Sequence, residues 1–281
     1  MKLKFKHILA VAGIASSLIL SGCGDEDKTP TTKTTADAQQ ELSIKVGVIG
    51  GSEEQVAEVA QKIAKEKYNL DVKLVTFNDY VTPNAALADG SIDINAFQHK
   101  PYLDKQVADQ GYKIVTVANT FVYPIAGYSH TVKTVAELPE GAKIGVPNDP
   151  TNEGRALLLL QKQGIITLKE GAGLTATPLD IVKNPKNVQI VELEAPQLPR
   201  SLDDLDLAII NNSYAATSGL TQEKDGVFVE DKESPYVNII VARIENKDAE
   251  NVKRFIKAYH NDEVVAAAKK IFGQDAVVKG W

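Results

Sequence analysis

The stretch SIKVGVIGGSEEQVAEVAQKIAKEK, Ser43–Lys67, sets the fold class. Ser43–Ile49 is dense in β-branched residues and reads as a strand. Gly50-Gly51-Ser52 breaks it. Glu53–Lys67 then places Val56, Val59, Ala60, Ile63 and Ala64 at helical spacing. A strand, a glycine turn and an amphipathic helix form the first half of a βαβ unit. The turn lacks the lysine of a P-loop and the spacing of a dinucleotide fingerprint, so it opens a helix and does not cradle a phosphate.

The alternation continues toward the C-terminus. Val72–Phe77 reads as a strand, and Pro83–Asp89 as a short helix with Pro83 suited to its first turn. Ile92–Ala96 is a strand and Tyr102–Gln110 a helix. The rhythm restarts with a strand at Lys143–Val146, an apolar helix at Asn152–Gln163, and strands at Val188–Leu193 and Leu207–Ile210. Ala249–Tyr259 and Asp262–Phe272 close the chain as helices. Strands alternating with helices predict parallel sheets of the α/β class. Two extended runs, Tyr123–Tyr128 and Val237–Arg243, join the series with no helix between. They predict two lobes linked by two crossovers, near Phe121–Pro124 and Tyr236–Asn238, which would serve as hinges. Lobe 1 would take residues 42–122 and 238–281, and lobe 2 residues 123–237. One continuous doubly wound sheet is the alternative.

Toward the N-terminus, Lys2, Lys4 and Lys6 precede the apolar run Ile8–Leu20. That run suits a signal-peptide core over residues 1–22 and is too short to span a bilayer. Leu20-Ser21-Gly22-Cys23 resembles a bacterial lipobox, and Cys23 is the only cysteine in the chain. Cleavage before Cys23 would leave an N-terminal cysteine for lipid, each buried CH₂ adding about 0.8 kcal/mol of membrane affinity. A plain secretory signal with a stray thiol is the alternative. Residues 24–41 carry no large apolar side chain and read as a flexible tether. With no further cysteine, internal disulfides and thiolate metal sites are excluded. A net charge of −6, without a basic patch, argues against nucleic-acid binding.

In open α/β sheets ligands bind beyond the carboxyl ends of the strands. Asn78, Asp79 and Tyr80 follow one strand of the first series, and Phe97, Gln98 and His99 another. Asn148, Asp149, Thr151, Asn152 and Arg155 follow a strand of the second series, as do Asn211, Asn212 and Tyr214. Aromatic rings therefore collect behind lobe 1, and amides with one arginine behind lobe 2. Arg155 offers a planar fork for a carboxylate, in what reads as the first turn of its helix, where free N–H groups also favour an anion. Asn211 and Asn238 each offer an acceptor and two donors, which suits an ammonium and a carboxylate together. Phe97 and His99 face one side if their strand extends that far. Tyr80, Phe97 and Tyr102 would wall a slot for an unbranched side chain, a thioether included.

Plainer roles fit the same residues. Arg155 could be a solvated helix residue, Phe97 core, His99 a turn cap, and Tyr102 packing for a helix start. Asn211-Asn212 could be a turn or an N-cap. The set points to recognition: no G-x-S-x-G elbow, no H-E-x-x-H and no evident acid–base pair occurs, and no cofactor or metal is expected. An exported α/β enzyme acting on a small amino acid is the alternative.

Long segments carry a family likeness. They are Phe77–Leu103, Asn119–Ser129, Val146–Gln161, Val191–Asp204 and Lys232–Arg243, together with the lipobox. These resemble the NlpA family of lipoproteins, and within it the members that serve ABC methionine importers. The resemblance implies a two-lobed periplasmic-binding-protein fold, type II-like. It implies capture of methionine and delivery to a membrane permease with a cytoplasmic ATPase. It also implies a lipid-anchored position at the cell membrane, facing the periplasm or cell exterior. Residue by residue, Tyr80, Phe97, His99 and Tyr102 would line the side-chain pocket. Arg155 would grip the carboxylate, and Asn211 and Asn238 would fix the α-amino and carboxylate groups.

Overall fold

A computed structural model describes residues 42–281. The signal peptide of residues 1–22, Cys23 with its expected lipid, and the 24–41 tether fall outside the described residues. The chain first lays down β1 (Leu42–Ile49), α1 (Ser52–Tyr68), β2 (Leu70–Phe77), α2 (Thr82–Ala88), β3 (Ile94–His99), α3 (Lys100–Gln110) and β4 (Ile114–Val122). It then builds β5 (Ala126–Tyr128), β6 (Lys143–Pro147), α4 (Pro150–Lys162), a small hairpin of β7 (Thr167–Leu168) and β8 (Ile181–Lys183), and β9 (Gln189–Leu193). After these come β10 (Leu207–Ile210), α5 (Asn212–Thr217), α6 (Gln222–Asp225) and β11 (Gly226–Val229). It ends with β12 (Val237–Arg243), α7 (Glu250–Tyr259), α8 (Asp262–Phe272) and β13 (Val278–Lys279). No helix among the described residues is long and apolar enough to cross a membrane.

The strands form two main sheets, ordered β13-β4-β12-β3-β1-β2 and β11-β5-β10-β6-β9. A single continuous sheet is thereby excluded. The helix–strand rhythm predicts parallel sheets, but neither sheet is purely parallel. β12 runs antiparallel to β3 and β4, and β5 antiparallel to β10 and β11. These are the two strands that arrive from the other sheet. Each starts where its parallel neighbours finish, as the pairing of Asn238 with His99 shows, so it must run the opposite way. The connections between the sheets are residues 123–125 and 230–236.

Some local expectations shift. β3 spans Ile94–His99 and not Ile92–Ala96, which carries Phe97 and His99 into the strand. α4 begins at Pro150, two residues before the expected start. β4, a nine-residue strand, has no counterpart in the sequence reading, because Thr116, Asn119 and Thr120 interrupt its apolar run.

Each sheet has its own core. Val46, Ile94, Val56 and Phe255 pack in the first, and Ile144, Leu157 and Ile209 in the second. A further cluster crosses between them: Ile49, Phe97 and Tyr102 meet Tyr128, Leu198, Ile210 and Tyr214. At ~1.5–3 kcal/mol for each large apolar side chain buried, this cluster is a substantial cohesive force between the lobes. The start of α1 is held to α5 as well. Ser52 N donates to Thr217 Oγ1 at 3.2 Å. Gly51 beside it has φ of 93°, and a Cβ there would lie 2.3 Å from the same oxygen, so only glycine fits.

Candidate functional site

The carboxyl ends of the parallel strands in both sheets face one shared cleft. Every one of the seven residues singled out as ligand-contacting lines it. Tyr80, Phe97, His99 and Tyr102 come from the first lobe, Arg155 and Asn211 from the second, and Asn238 from β12.

The rings form one wall. Phe97 lies 6.0 Å from Tyr80 and 6.1 Å from Tyr102, centroid to centroid, and Tyr80 stacks obliquely on Tyr214 at 4.9 Å. The Tyr102 hydroxyl donates to the Tyr80 carbonyl at 2.8 Å, tying that loop to α3. Asn238 Nδ2 donates to the Phe97 carbonyl at 3.1 Å. Behind the wall, the buried amides of Asn84, Asn95 and Gln98 bond to one another and stiffen the end of β3. Phe97 is core as well as wall, since it belongs to the apolar cluster between the lobes.

The second wall is polar. His99 caps α3: its Nδ1 accepts the Tyr102 backbone N–H at 3.1 Å. Nδ1 therefore carries no proton, and Nε2–H points to Asn152 Oδ1, 3.2 Å away. Burial, reinforced by the charge of Arg155, pushes the His99 pKa down to about 3, so the ring is neutral. Asn152 Oδ1 also accepts from Asn211 Nδ2 at 2.9 Å. Asn152 is itself held by Asp149, which takes its backbone N–H at 3.0 Å and its Nδ2 at 2.8 Å as the N-cap of α4. Asn211 stands at the N-cap position of α5, yet its side chain does not cap the helix. Its Oδ1 is buried with no hydrogen-bond partner, an unmet acceptor at the cavity wall. Asn212 turns away to bond the Ala276 carbonyl at 2.7 Å.

Arg155 is 3% exposed, which rules out a solvated role. It sits in the second turn of α4, not the first, because the helix starts at Pro150. Its Nε donates to Glu230 Oε1 at 2.9 Å, and Nη2 donates to Glu230 Oε2 and, at 3.0 Å, to the Tyr123 carbonyl. The Tyr236 ring lies 4.3 Å from the guanidinium carbon. Among the described residues Nε and Nη2 carry these hydrogen bonds, and none is formed by Nη1.

Three contributors escaped the sequence reading. Asn152 stood in the right loop without a reason to prefer it. Glu230 has no local signal, being 75 residues from its partner. Glu53, in the first turn of α1, lines the cavity and accepts the Ser213 hydroxyl. Burial raises its pKa to about 8, which holds it protonated at neutral pH. Among the described residues, no group of three or more His, Cys, Asp or Glu side chains is placed to hold a metal ion.

Two α/β lobes, two crossings and a polar-and-aromatic cavity between the strand ends define the class: a type II-like periplasmic substrate-binding fold. The comparisons agree and narrow it. The family pattern described as NlpA lipoprotein matches residues 44–281, and the chain belongs to that family. It is 63% identical to the D-methionine-binding lipoprotein MetQ of Salmonella typhimurium, with 100% of both chains covered. A nutrient-binding protein from Burkholderia cenocepacia, solved bound to methionine, is 51% identical, with a TM-score of 0.83 and 85% of this chain and 100% of that one covered. An ABC transporter periplasmic substrate-binding protein from Coxiella burnetii is 49% identical, with a TM-score of 0.81 and 84% and 100% covered. The chain thus stands with binding proteins, and the exported-enzyme alternative is set aside.

Proposed function

We propose that the protein is a membrane-tethered solute-binding lipoprotein that captures methionine and hands it to an ABC importer. The observation that carries this is the division of the cavity: rings on one wall, Arg155 with an unpartnered Asn211 Oδ1 on the other. Methionine is apolar at one end and zwitterionic at the other. Its carboxylate meets Arg155 Nη1, and its ammonium supplies the donor that Asn211 Oδ1 lacks. Asn238, on β12, completes the polar end, and the thioether lies among Tyr80, Phe97 and Tyr102. The names of the relatives, MetQ and the methionine-bound nutrient-binding protein, support the same ligand.

The two sheets, with residues 42–122 and 238–281 on one side and 123–237 on the other, would open and close about the two connections. Cys23 carries the lipid, residues 24–41 tether the domain, and the partner is a permease with a cytoplasmic ATPase. The Coxiella relative's designation as an ABC transporter component supports that partnership.

Isothermal titration of the purified soluble domain with methionine tests the ligand, alongside a mass spectrum of methionine recovered after incubation. Saturable 1:1 binding with methionine recovered intact is expected. No heat of binding to either enantiomer, or chemical turnover of methionine, would remove the proposal. Mass spectrometry of the full-length protein tests Cys23, where an unmodified thiol would remove the anchor.

A further inference from the structure

The guanidinium that faces the ligand already has a carboxylate of its own. Arg155 and Glu230 form a two-pronged pair, with Arg155 3% exposed and the Glu230 side chain 13% exposed. Glu230 opens the returning connection between the sheets, and its backbone N–H bonds the Ile125 carbonyl in the other connection at 2.9 Å. Arg155 touches both connections too, through the Tyr123 carbonyl and the Tyr236 ring. The pair is therefore fixed in place, and it carries no net charge.

We infer that Glu230 determines specificity: by cancelling the charge of Arg155 it makes the cavity select a zwitterion over an anion of the same shape. The inference rests on the reading of Arg155 Nη1 as the carboxylate-facing group. A buried charge without a partner is expensive. A ligand that brings both a carboxylate and an ammonium leaves the site as neutral as it found it. A ligand that brings a carboxylate alone adds one uncompensated negative charge beside Glu230. Asp149, behind Asn152 at the amide wall, also disfavours such an anion. The nearby Lys162–Asp231 contact is matched within itself and supplies no spare positive charge. The carboxylate is thus read through Arg155, whereas the requirement for an ammonium is enforced by Glu230.

The test uses methionine and 2-hydroxy-4-(methylthio)butanoate, in which a hydroxyl replaces the ammonium and the net charge becomes negative. Both are titrated calorimetrically into the wild-type chain, Glu230→Gln and Glu230→Asp. The wild type should prefer methionine by at least about tenfold, or ~1.4 kcal/mol. Glu230→Gln should shrink that ratio at least tenfold, and Glu230→Asp, which keeps the charge, should restore it. A purely structural role would weaken both ligands alike in Glu230→Gln and leave the ratio unchanged, and that result overturns the inference. If Glu230→Gln does not fold, the wild type decides: equal affinity for the two compounds overturns it, and rejection of the hydroxy acid supports it. Methionine binding with an unaltered ratio defeats this inference alone. Absence of binding to either compound defeats the ligand reading and this inference together.

Discussion

His99 Nε2 and Asn152 Oδ1 meet at 3.2 Å across the cleft, one from strand β3 of the first lobe and the other from helix α4 of the second. The same oxygen accepts Asn211 Nδ2, so one amide carbonyl gathers donors from both lobes. A chain of neutral partners, His99 to Asn152 to Asn211, runs along the polar wall and leaves a single open acceptor, Asn211 Oδ1, at its end. The lobes are thus linked through side chains that also line the cleft.

Asn152→Leu keeps similar bulk and removes that acceptor. The Nε2–H of His99 and Nδ2 of Asn211 would be stranded, each buried orphan costing ~1–3 kcal/mol. A lower melting temperature and at least about tenfold weaker methionine binding are expected. Thermal melts and calorimetry check both, and wild-type values would take Asn152 out of the site.

Arg155→Ala deletes the guanidinium and leaves the Glu230 carboxylate half of a largely buried pair. Losing one member of such a pair costs on the order of 3–5 kcal/mol. Methionine binding should fall at least about tenfold. Adding Glu230→Ala to Arg155→Ala should recover part of the stability and none of the affinity. Chemical denaturation of both variants reads this out, and a double variant no more stable than the single one contradicts it.

Glu53 gives a pH dependence with a definite sign. Burial raises its folded pKa from 4.5 to about 8. Between those values the folded chain keeps a proton that the unfolded chain has released, so this residue's contribution to stability falls as pH rises from 4.5 to 8. Glu53→Gln cannot ionise and loses that slope. Relative to wild type, its melting temperature should compare better at pH ~8 than at pH ~5. An equal difference at the two pH values would show that Glu53 is ionised in the folded chain.

His99 titrates on the opposite limb. Its folded pKa is pushed from 6.5 down to about 3, so stability is lost as pH falls below 6.5 and the unfolded chain gains the proton first. The ring should remain a neutral Nε2–H tautomer at pH ~5. Nitrogen NMR of the imidazole checks this, and a doubly protonated ring at that pH contradicts the hydrogen-bond assignment to Tyr102 N.

Much of the architecture was legible because it is written locally. The β-branched run of β1 and the helical spacing of Val56, Ala60, Ile63 and Ala64 each lie within a short stretch of chain. Pro83 marks the first turn of α2, where its missing N–H group is not needed. The rule that ligands sit beyond strand ends then collects Tyr80, Phe97, His99, Arg155 and Asn211 without any knowledge of distance. β4 was not legible, because polar Thr116, Asn119 and Thr120 hide its period. The antiparallel direction of β5 and β12 was also hidden, since it follows from where each strand enters its sheet.

The sequence alone determined the α/β class, the two series with their extended links, and the residue types at the strand ends. Those follow from steric periods and capping chemistry that act over a handful of residues. Only the tertiary structure decided that Arg155 is shared with Glu230, 75 residues away, and that Asn152 bridges to His99 over 53. The first joins two distant segments of the second lobe, and the second depends on how the two sheets are set against each other. The packing of Phe97, Tyr102, Tyr128 and Tyr214 sets that arrangement, and no short stretch of chain encodes it.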